Sequence, residues 1–121
     1  MRILVVDDEI AIRNVLREFL NLKGFEIHTA SNGPTAIAKV KRVKPHIVLL
    51  DVMIPGMGEM EILKEIKKIN PPVGVIMVTA IYDNELARRA IALGAYDYLT
   101  KPVDFNYLET VLMVKSIDLL D

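Results

Sequence analysis

The chain has 121 residues, which is enough for one domain with a buried core and leaves no room for a second. A hydrophobic content of 52% with 26% charged residues excludes a disordered chain, and a net charge of -1 provides no basic surface for direct binding of nucleic acid or of a membrane. The absence of cysteine excludes disulfides, thiolate metal sites and cysteine nucleophiles.

The N-terminal segment MRILVVDDE does not have the pattern of a targeting sequence. Its apolar run is short and is followed at once by Asp7, Asp8 and Glu9, whereas a signal peptide or a spanning helix needs a longer apolar segment. We therefore expect a cytoplasmic protein in which residues 1–121 form a single domain.

Segments with strand character alternate with segments of helical apolar spacing along the chain. The predicted strands are Arg2 to Val6, Phe25 to Ala30, His46 to Leu50, Val73 to Thr79 and Tyr96 to Thr100. The predicted helices are one that ends before Gly24, one from Gly33-Pro34 to before Pro45, one from Glu59 to Ile69, one from Asn84 to Leu93 with Asp83 as N-cap, and one from after Asp104 almost to the end.

Five consecutive strand-helix units predict an α/β fold, a three-layer α/β/α sandwich in which helices cover both faces of a five-stranded parallel sheet. The runs ILVV, IVLL and VIMV support this prediction, because strands that are buried on both faces lose the alternation of polar and apolar residues. In open parallel sheets, functional groups gather beyond the carboxyl ends of the strands.

Charged or hydroxyl side chains stand at the ends of four predicted strands. They are Asp7, Asp8 and Glu9 after the first strand, Asp51 after the third, Thr79 at the end of the fourth and Lys101 after the fifth. Each alone has an ordinary structural interpretation, such as a helix N-cap or a solvated strand end. Together, three carboxylates at one apolar edge would repel one another unless they share a cation. Oxygen ligands without His or Cys favour Mg²⁺ or Mn²⁺, whereas Ca²⁺, the alternative, requires more protein oxygens.

A carboxylate nucleophile beside a metal and a lysine is typical of a phosphoryl-acceptor site. In this interpretation Asp51 is the nucleophile, while Lys101 and Thr79 donate hydrogen bonds to phosphoryl oxygens. A flavin or dinucleotide site is disfavoured, because the chain has neither a GxGxxG motif nor any other Gly-rich phosphate loop.

Four motifs together resemble the receiver domain of two-component response regulators. They are VVDDE at Val5–Glu9, LLD at Leu49–Asp51 followed by Pro55, VTA at Val78–Ala80 and GAYDYLTKP at Gly94–Pro102. The resemblance covers essentially the whole chain and implies a flavodoxin-like sheet with the strand order 2-1-3-4-5.

The resemblance also implies how the acidic residues act. Asp51 would accept a phosphoryl group from a phosphohistidine of a sensor histidine kinase or of a histidine phosphotransfer protein. Asp8 and Asp51 would bind Mg²⁺ directly together with the main-chain carbonyl of Met53, and Asp7 would bind it through water. Such a protein catalyses only its own phosphorylation and dephosphorylation.

The implied switch consists of Thr79, which would move toward the phosphate, and Tyr98, which would follow it inward and bias an equilibrium between two states. Lys101, joined to Pro102 by a cis peptide bond, would contact the acyl phosphate. The fourth helix, fifth strand and fifth helix would then bind a downstream protein or a fused output domain, or form a homodimer.

The sequence departs from the family pattern in the loop after the third strand and near the fourth. Met57 is followed by Gly58 and Glu59, where receivers commonly have a small polar or acidic residue and then glycine. Met53 and Ile81 are apolar and cannot orient an attacking water, so we predict slow self-dephosphorylation. The substitution Met53→Asn should then shorten the lifetime of the acyl phosphate.

The last predicted helix has two apolar stripes. The core stripe contains Phe105, Leu108, Val111, Leu112 and Leu119. Met113, Ile117 and Leu120 lie on a different face and predict a homodimer contact or a partner-binding surface. The alternatives are a helix end that frays or a further domain that covers it.

Two other functions remain open from the sequence. A pseudo-receiver, a constitutive interaction module, would not need the complete set of Asp7, Asp8, Asp51, Thr79 and Lys101. A metal-dependent hydrolase with an aspartyl nucleophile usually needs a second acid two residues after it, where Met53 stands. The preferred hypothesis is therefore a switch that is phosphorylated on Asp51.

Overall fold

Five strands and five helices alternate along the described part of the chain. The structure, a computed structural model, describes residues 1–51, 58–80 and 82–120, and of residues 119 and 120 only the backbone. The strands are β1 (Arg2–Val6), β2 (Glu26–Ala30), β3 (Ile47–Asp51), β4 (Gly74–Thr79) and β5 (Asp97–Thr100). The helices are α1 (Ile10–Leu22), α2 (Gly33–Val43), α3 (Glu59–Ile69), α4 (Asn84–Ala92) and α5 (Phe105–Leu120).

The strands form one parallel sheet in the order β2-β1-β3-β4-β5. Ile3 pairs with Ile27 of β2 on one side and with Ile47 of β3 on the other, and at the far edge Thr79 pairs with Thr100. This is the flavodoxin-like order that the resemblance implies, so the predicted fold class is confirmed.

Alternate residues of β1 belong to two hydrophobic cores, one on each face of the sheet. Leu4 and Val6 lie in the core that also contains side chains of α2, α3 and α4. Ile3 and Val5 lie in the core that contains side chains of α1 and α5. Because neighbouring residues of a strand point to opposite faces, two cores of this kind establish the three-layer α/β/α sandwich.

Most predicted boundaries lie within one residue of those in the structure. Four strands begin one residue later than predicted, at Glu26, Ile47, Gly74 and Asp97, and α4 ends at Ala92 instead of Leu93. The Phe25 N–H, for example, donates to the Leu20 carbonyl at 3.1 Å and closes the end of α1 instead of joining the sheet. Asp51 was predicted to follow β3, but it is the last residue of that strand and pairs with Val78.

The predicted signals also fix the ends of α4. The side chain of Asp83 accepts hydrogen bonds from the N–H groups of Glu85, at 2.9 Å, and Leu86, at 3.1 Å, which confirms it as the N-cap. Gly94 follows the helix with a φ of +102°, a conformation that favours glycine.

Helix α5 buries one face and exposes another. Phe105 packs against the core, and Leu108, Val111 and Leu112 are buried in it. Met113 is 56% exposed and Ile117 is 60% exposed, as the second stripe predicts. The side chains of Leu119 and Leu120, assigned to the two stripes, lie outside the described atoms. Among the described residues, no helix has both the length and the apolar character that crossing a bilayer requires.

Candidate functional site

The candidate residues meet at the carboxyl edge of the sheet because four adjacent parallel strands end there. Asp7 follows β1, Asp51 ends β3, Thr79 ends β4 and Lys101 follows β5. The chain leaves β1 toward β2 on one side, while β3 lies on the other side, so strand order reverses beside Asp7. Such a point in a parallel sheet is where ligands bind.

Three carboxylates form a compact cluster at this edge. One oxygen atom each of Asp7, Asp8 and Asp51 lies within 4.8 Å of the other two. Asp7 and Asp51 are each only 3% exposed, whereas Asp8 is exposed to solvent. The close approach of three negative groups, two of them buried, is unfavourable without positive charge. Oxygen donors at this spacing fit a hard divalent cation such as Mg²⁺.

Lys101 supplies one positive charge to the cluster. Its Nζ donates to Asp7 Oδ2 at 3.0 Å and to Asp51 Oδ2 at 3.2 Å. Burial acts to lower the pKa of Lys101, but the hydrogen bonds and charges of Asp7 and Asp51 outweigh it, so the pKa is raised above its ordinary value. The ammonium group therefore stays protonated between two carboxylates whose negative charge it offsets.

Backbone contacts fix the position of Asp7. Its N–H donates to the Ala30 carbonyl at 3.1 Å, and its Oδ1 accepts from the Glu9 N–H at 2.9 Å. The guanidinium of Arg13, one turn into α1, donates to the Asp7 carbonyl at 2.6 Å. Arg13, six residues after Asp7, was not among the candidate residues, because no motif or periodicity in the sequence indicates this contact.

Thr79 and Lys101 are connected through the main chain. The Lys101 N–H donates to the Thr79 carbonyl at 2.6 Å, and the Thr79 residue is only 3% exposed. The peptide bond between Lys101 and Pro102 is cis, as the resemblance implies. The lysine and the threonine are thus held on neighbouring strand ends beside Asp51.

Tyr98 lies in the interior next to this edge. It is 9% exposed, belongs to the core beneath α4 and pairs with Met77 of β4. Burial raises the pKa of Tyr98, and the side chain of Thr79 acts in the opposite direction. The ring of Tyr82 contacts the ring of Tyr98 edge-on, with a centroid distance of 5.9 Å and an interplanar angle of 85°. Tyr82 is a second residue that the sequence alone did not single out.

Several predictions concern residues outside the described part of the chain. Met53, whose carbonyl is an implied metal ligand, and Ile81 are both outside it, as are Pro55 and Met57. The structure does describe the start of α3, which begins at Glu59 as predicted. The departure from the family pattern at Gly58 therefore leaves that boundary unchanged.

Comparison with known proteins points to one family. The family model of the response regulator receiver domain matches residues 3–113. The chain is 39% identical over 105 residues to sporulation initiation phosphotransferase F of Bacillus subtilis, which is 87% of this chain and 85% of that protein. It is 39% identical over 111 residues to regulatory protein AtoC of Escherichia coli, 92% of this chain but 24% of AtoC. A receiver domain structure from Clostridium thermocellum has a TM-score of 0.91 and 33% identity, covering 99% of this chain and 98% of that one.

Proposed function

This chain belongs to the family of response regulator receiver domains, and we propose from this membership that it is a phosphorylation-dependent switch with Asp51 as phosphoacceptor. The observation that carries the proposal is the position of the Asp51 carboxylate. It is buried at the end of β3, 3.2 Å from Lys101 Nζ and within 4.8 Å of oxygen atoms of Asp7 and Asp8. An anionic nucleophile with a cation on one side and acidic metal ligands on the other suits phosphoryl transfer.

In the proposed reaction, one carboxylate oxygen of Asp51 attacks the phosphorus atom of a phosphohistidine. A new O–P bond forms, the N–P bond breaks, and the imidazole of the donor keeps the electron pair and takes a proton from solvent. Lys101, which already contacts Asp51, donates to a phosphoryl oxygen, and the hydroxyl of Thr79 donates to another. The donor is a sensor histidine kinase or a histidine phosphotransfer protein.

The acidic cluster is the proposed metal site. Asp8 and Asp51 would hold Mg²⁺, or Mn²⁺, directly and Asp7 would hold it through water, with the carbonyl of Met53 as a further ligand. When bound, the metal supplies the positive charge that lets an anionic donor approach a carboxylate. The oxygen-only donor set and the spacing of its members support this assignment.

The proposed output surface consists of α4, β5 and α5. Phosphorylation would bias Thr79 and Tyr98, and the adjoining surface would bind a downstream protein, a fused output domain or a second copy of the chain. The exposed apolar side chains of Met113 and Ile117 support an interaction through α5.

We further propose that residues 1–121 form one receiver domain that acts catalytically only on itself. The cytoplasmic location and the slow self-dephosphorylation stay predictions. The slow self-dephosphorylation was predicted from Met53 and Ile81, which lie outside the described residues.

Incubation with Mg²⁺ and acetyl phosphate, followed by mass spectrometry and by a phosphate-release assay, tests the proposal. A single hydroxylamine-sensitive phosphoryl group on Asp51, absent in Asp51→Asn, is the expected result. Continuous turnover of phosphoesters would favour the hydrolase, and the absence of any modification would favour the pseudo-receiver.

A further inference from the structure

The connection between β4 and α4 brings a second tyrosine against the switch residue. Tyr82 stands three residues after Thr79, and its ring meets the ring of Tyr98 at a centroid distance of 5.9 Å and an angle of 85°. Tyr82 is itself 56% exposed, whereas Tyr98 is 9% exposed. The exposed ring therefore lies over the buried one, in the edge-to-face arrangement that the charge distribution of aromatic rings favours.

The buried position of Tyr98 is not imposed by lack of space. An open groove of about 520 Å³ lies between α4 and β5, and the residues that line it include Ala87, Ile91, Asp97 and both tyrosines. Tyr98 is on β5, the edge strand of the sheet, so rotation of its side chain would carry the ring toward this groove and toward water. A phenol gains hydration in the outward position, and packing must outweigh that gain to keep the ring inside.

We propose that Tyr82 is a positioning residue that holds the ring of Tyr98 in the buried position before any phosphorylation occurs. The contact acts on an equilibrium between a buried and an exposed Tyr98, and an aromatic pair of this kind shifts such an equilibrium roughly two- to tenfold. Tyr82 acts through Tyr98, because the contact that defines its role is the one between the two rings.

The consequence for signalling rests on the proposed function. If buried Tyr98 and phosphorylated Asp51 belong to the same state, an interaction that favours buried Tyr98 also favours phosphorylation, by at most the same factor. The unphosphorylated protein would already populate the signalling arrangement of Tyr98, and phosphorylation would add mainly the contacts of Thr79. Loss of the Tyr82 ring would then slow phosphorylation by a small donor by up to the same two- to tenfold factor.

The contact can be tested on the unphosphorylated chain without Mg²⁺, by NMR of ring-labelled tyrosine. In the wild type we expect nuclear Overhauser effects between the rings of Tyr82 and Tyr98, and protection of the Tyr98 ring from a soluble paramagnetic agent. Tyr82→Phe keeps the ring edge and should preserve this protection, whereas Tyr82→Ala should raise the exposed population of Tyr98 roughly two- to tenfold. Equal protection of Tyr98 in Tyr82→Ala, or no ring contact in the wild type, overturns the proposal.

The link to signalling is tested separately by the initial rate of modification with acetyl phosphate. We expect Tyr82→Phe to react at the wild-type rate and Tyr82→Ala to react more slowly, with Asp51→Asn as the blank. If Tyr98 becomes exposed in Tyr82→Ala while the rate is unchanged, the link between the tyrosine pair and phosphorylation is wrong. If the wild type is not modified at all, the proposed function fails, and the NMR result alone still decides whether Tyr82 holds Tyr98.

Discussion

The two ends of the sheet use polar side chains in different ways. At the end where the strands begin, polar side chains bind the backbone: Arg2 Nε donates to the Val43 carbonyl at 3.0 Å, and Arg2 Nη2 donates to the Lys44 carbonyl at 2.9 Å. In the same region Asn70 Nδ2 donates to the Pro45 carbonyl at 3.2 Å. These hydrogen bonds satisfy main-chain carbonyls at the end of α2 and in the loop after it. The acceptors are fixed parts of the main chain.

At the end where the strands finish, charged side chains bind the backbone too, but they also pair with one another. Lys101 binds Asp7 and Asp51, which are 94 and 50 residues away in the sequence. Side chains whose partners are other side chains can exchange them when a metal ion or a phosphoryl group arrives. Substitutions at this end should therefore change the chemistry of the protein, and substitutions at the other end should change only its stability.

The largest effect is expected for Asp51→Asn. This substitution removes the nucleophilic oxygen, so phosphorylation by acetyl phosphate or by a donor protein should fall below detection, as measured by mass spectrometry of the intact chain. Asp83→Asn is the matched control, because asparagine is also a good N-cap and should leave both the fold and phosphorylation intact. Full modification of Asp51→Asn would place the acceptor elsewhere.

The next effect concerns the stability of the metal-free protein. Lys101→Met removes the ammonium group that two carboxylates share, each 4% exposed or less. Breaking a buried ion pair from one side costs about 3 kcal/mol, so the free energy of unfolding in urea should fall by about that amount.

A surface ion pair of the same type provides the control for this measurement. Lys23 lies 3.3 Å from Glu109, and the two side chains are 42% and 30% exposed. Lys23→Met should change the free energy of unfolding by less than about 1 kcal/mol. Equal effects of the two lysine substitutions would contradict the electrostatic account of the acidic cluster.

A smaller effect is expected at the opposite end of the sheet. Arg2→Met removes the hydrogen bonds to the Val43 and Lys44 carbonyls and should lower the free energy of unfolding by about 1 kcal/mol. The rate of phosphorylation, measured on the folded protein, should be unchanged. A loss of phosphorylation in Arg2→Met would show that the two ends are coupled.

The smallest effect is a dependence of stability on pH, and it arises from His46 at the end of the sheet where the strands begin. Burial, followed by the charges of Arg2 and of the N-terminus, lowers the pKa of His46 from its ordinary value of 6.5. A proton therefore binds more tightly to His46 in the unfolded chain than in the folded protein. The contribution of neutral His46 to the free energy of unfolding is present above about pH 6.5, and it is lost as the pH falls through the lower pKa of the folded protein.

An asparagine at this position separates the histidine from other titrating groups. His46 Nδ1 accepts a hydrogen bond from the Arg2 N–H at 3.0 Å, and the Oδ1 of an asparagine can accept it without titrating. Urea midpoints measured from pH 8 to pH 5 should fall less steeply for His46→Asn than for the wild type. Identical slopes would exclude His46 as a source of the dependence.

The fold was predictable because apolar spacing and turn residues both indicate a strand followed by a helix in every strand-helix unit. The runs ILVV and IVLL can be buried on both sides only in a covered parallel sheet, and the residues at their ends must then meet. The boundary at Asp51 was misplaced because a carboxylate has a low strand propensity, while its backbone still pairs with Val78. Tertiary hydrogen bonding overrides the local preference at this residue.

Contacts that depend on side-chain direction could not be predicted from the sequence. The bond from Arg13 to the Asp7 carbonyl depends on how the loop after β1 turns into α1, and the contact between Tyr82 and Tyr98 depends on the path between β4 and α4. Neither path has a periodic signal. The acidic cluster, by contrast, was recognisable from its residue types, because three carboxylates at one edge of a sheet repel one another unless they share a cation.

A titration of the wild-type chain with Mg²⁺, followed by amide NMR shifts and by thermal unfolding, tests the central claim most directly. The claim is that Asp8 and Asp51, together with Asp7 through water, share one divalent cation, and that Asp51 is the phosphoacceptor. We expect saturable shifts at the ends of β1 and β3 and a higher unfolding temperature, both weakened in Asp8→Asn. Unchanged shifts and an unchanged unfolding temperature at millimolar Mg²⁺ would contradict it.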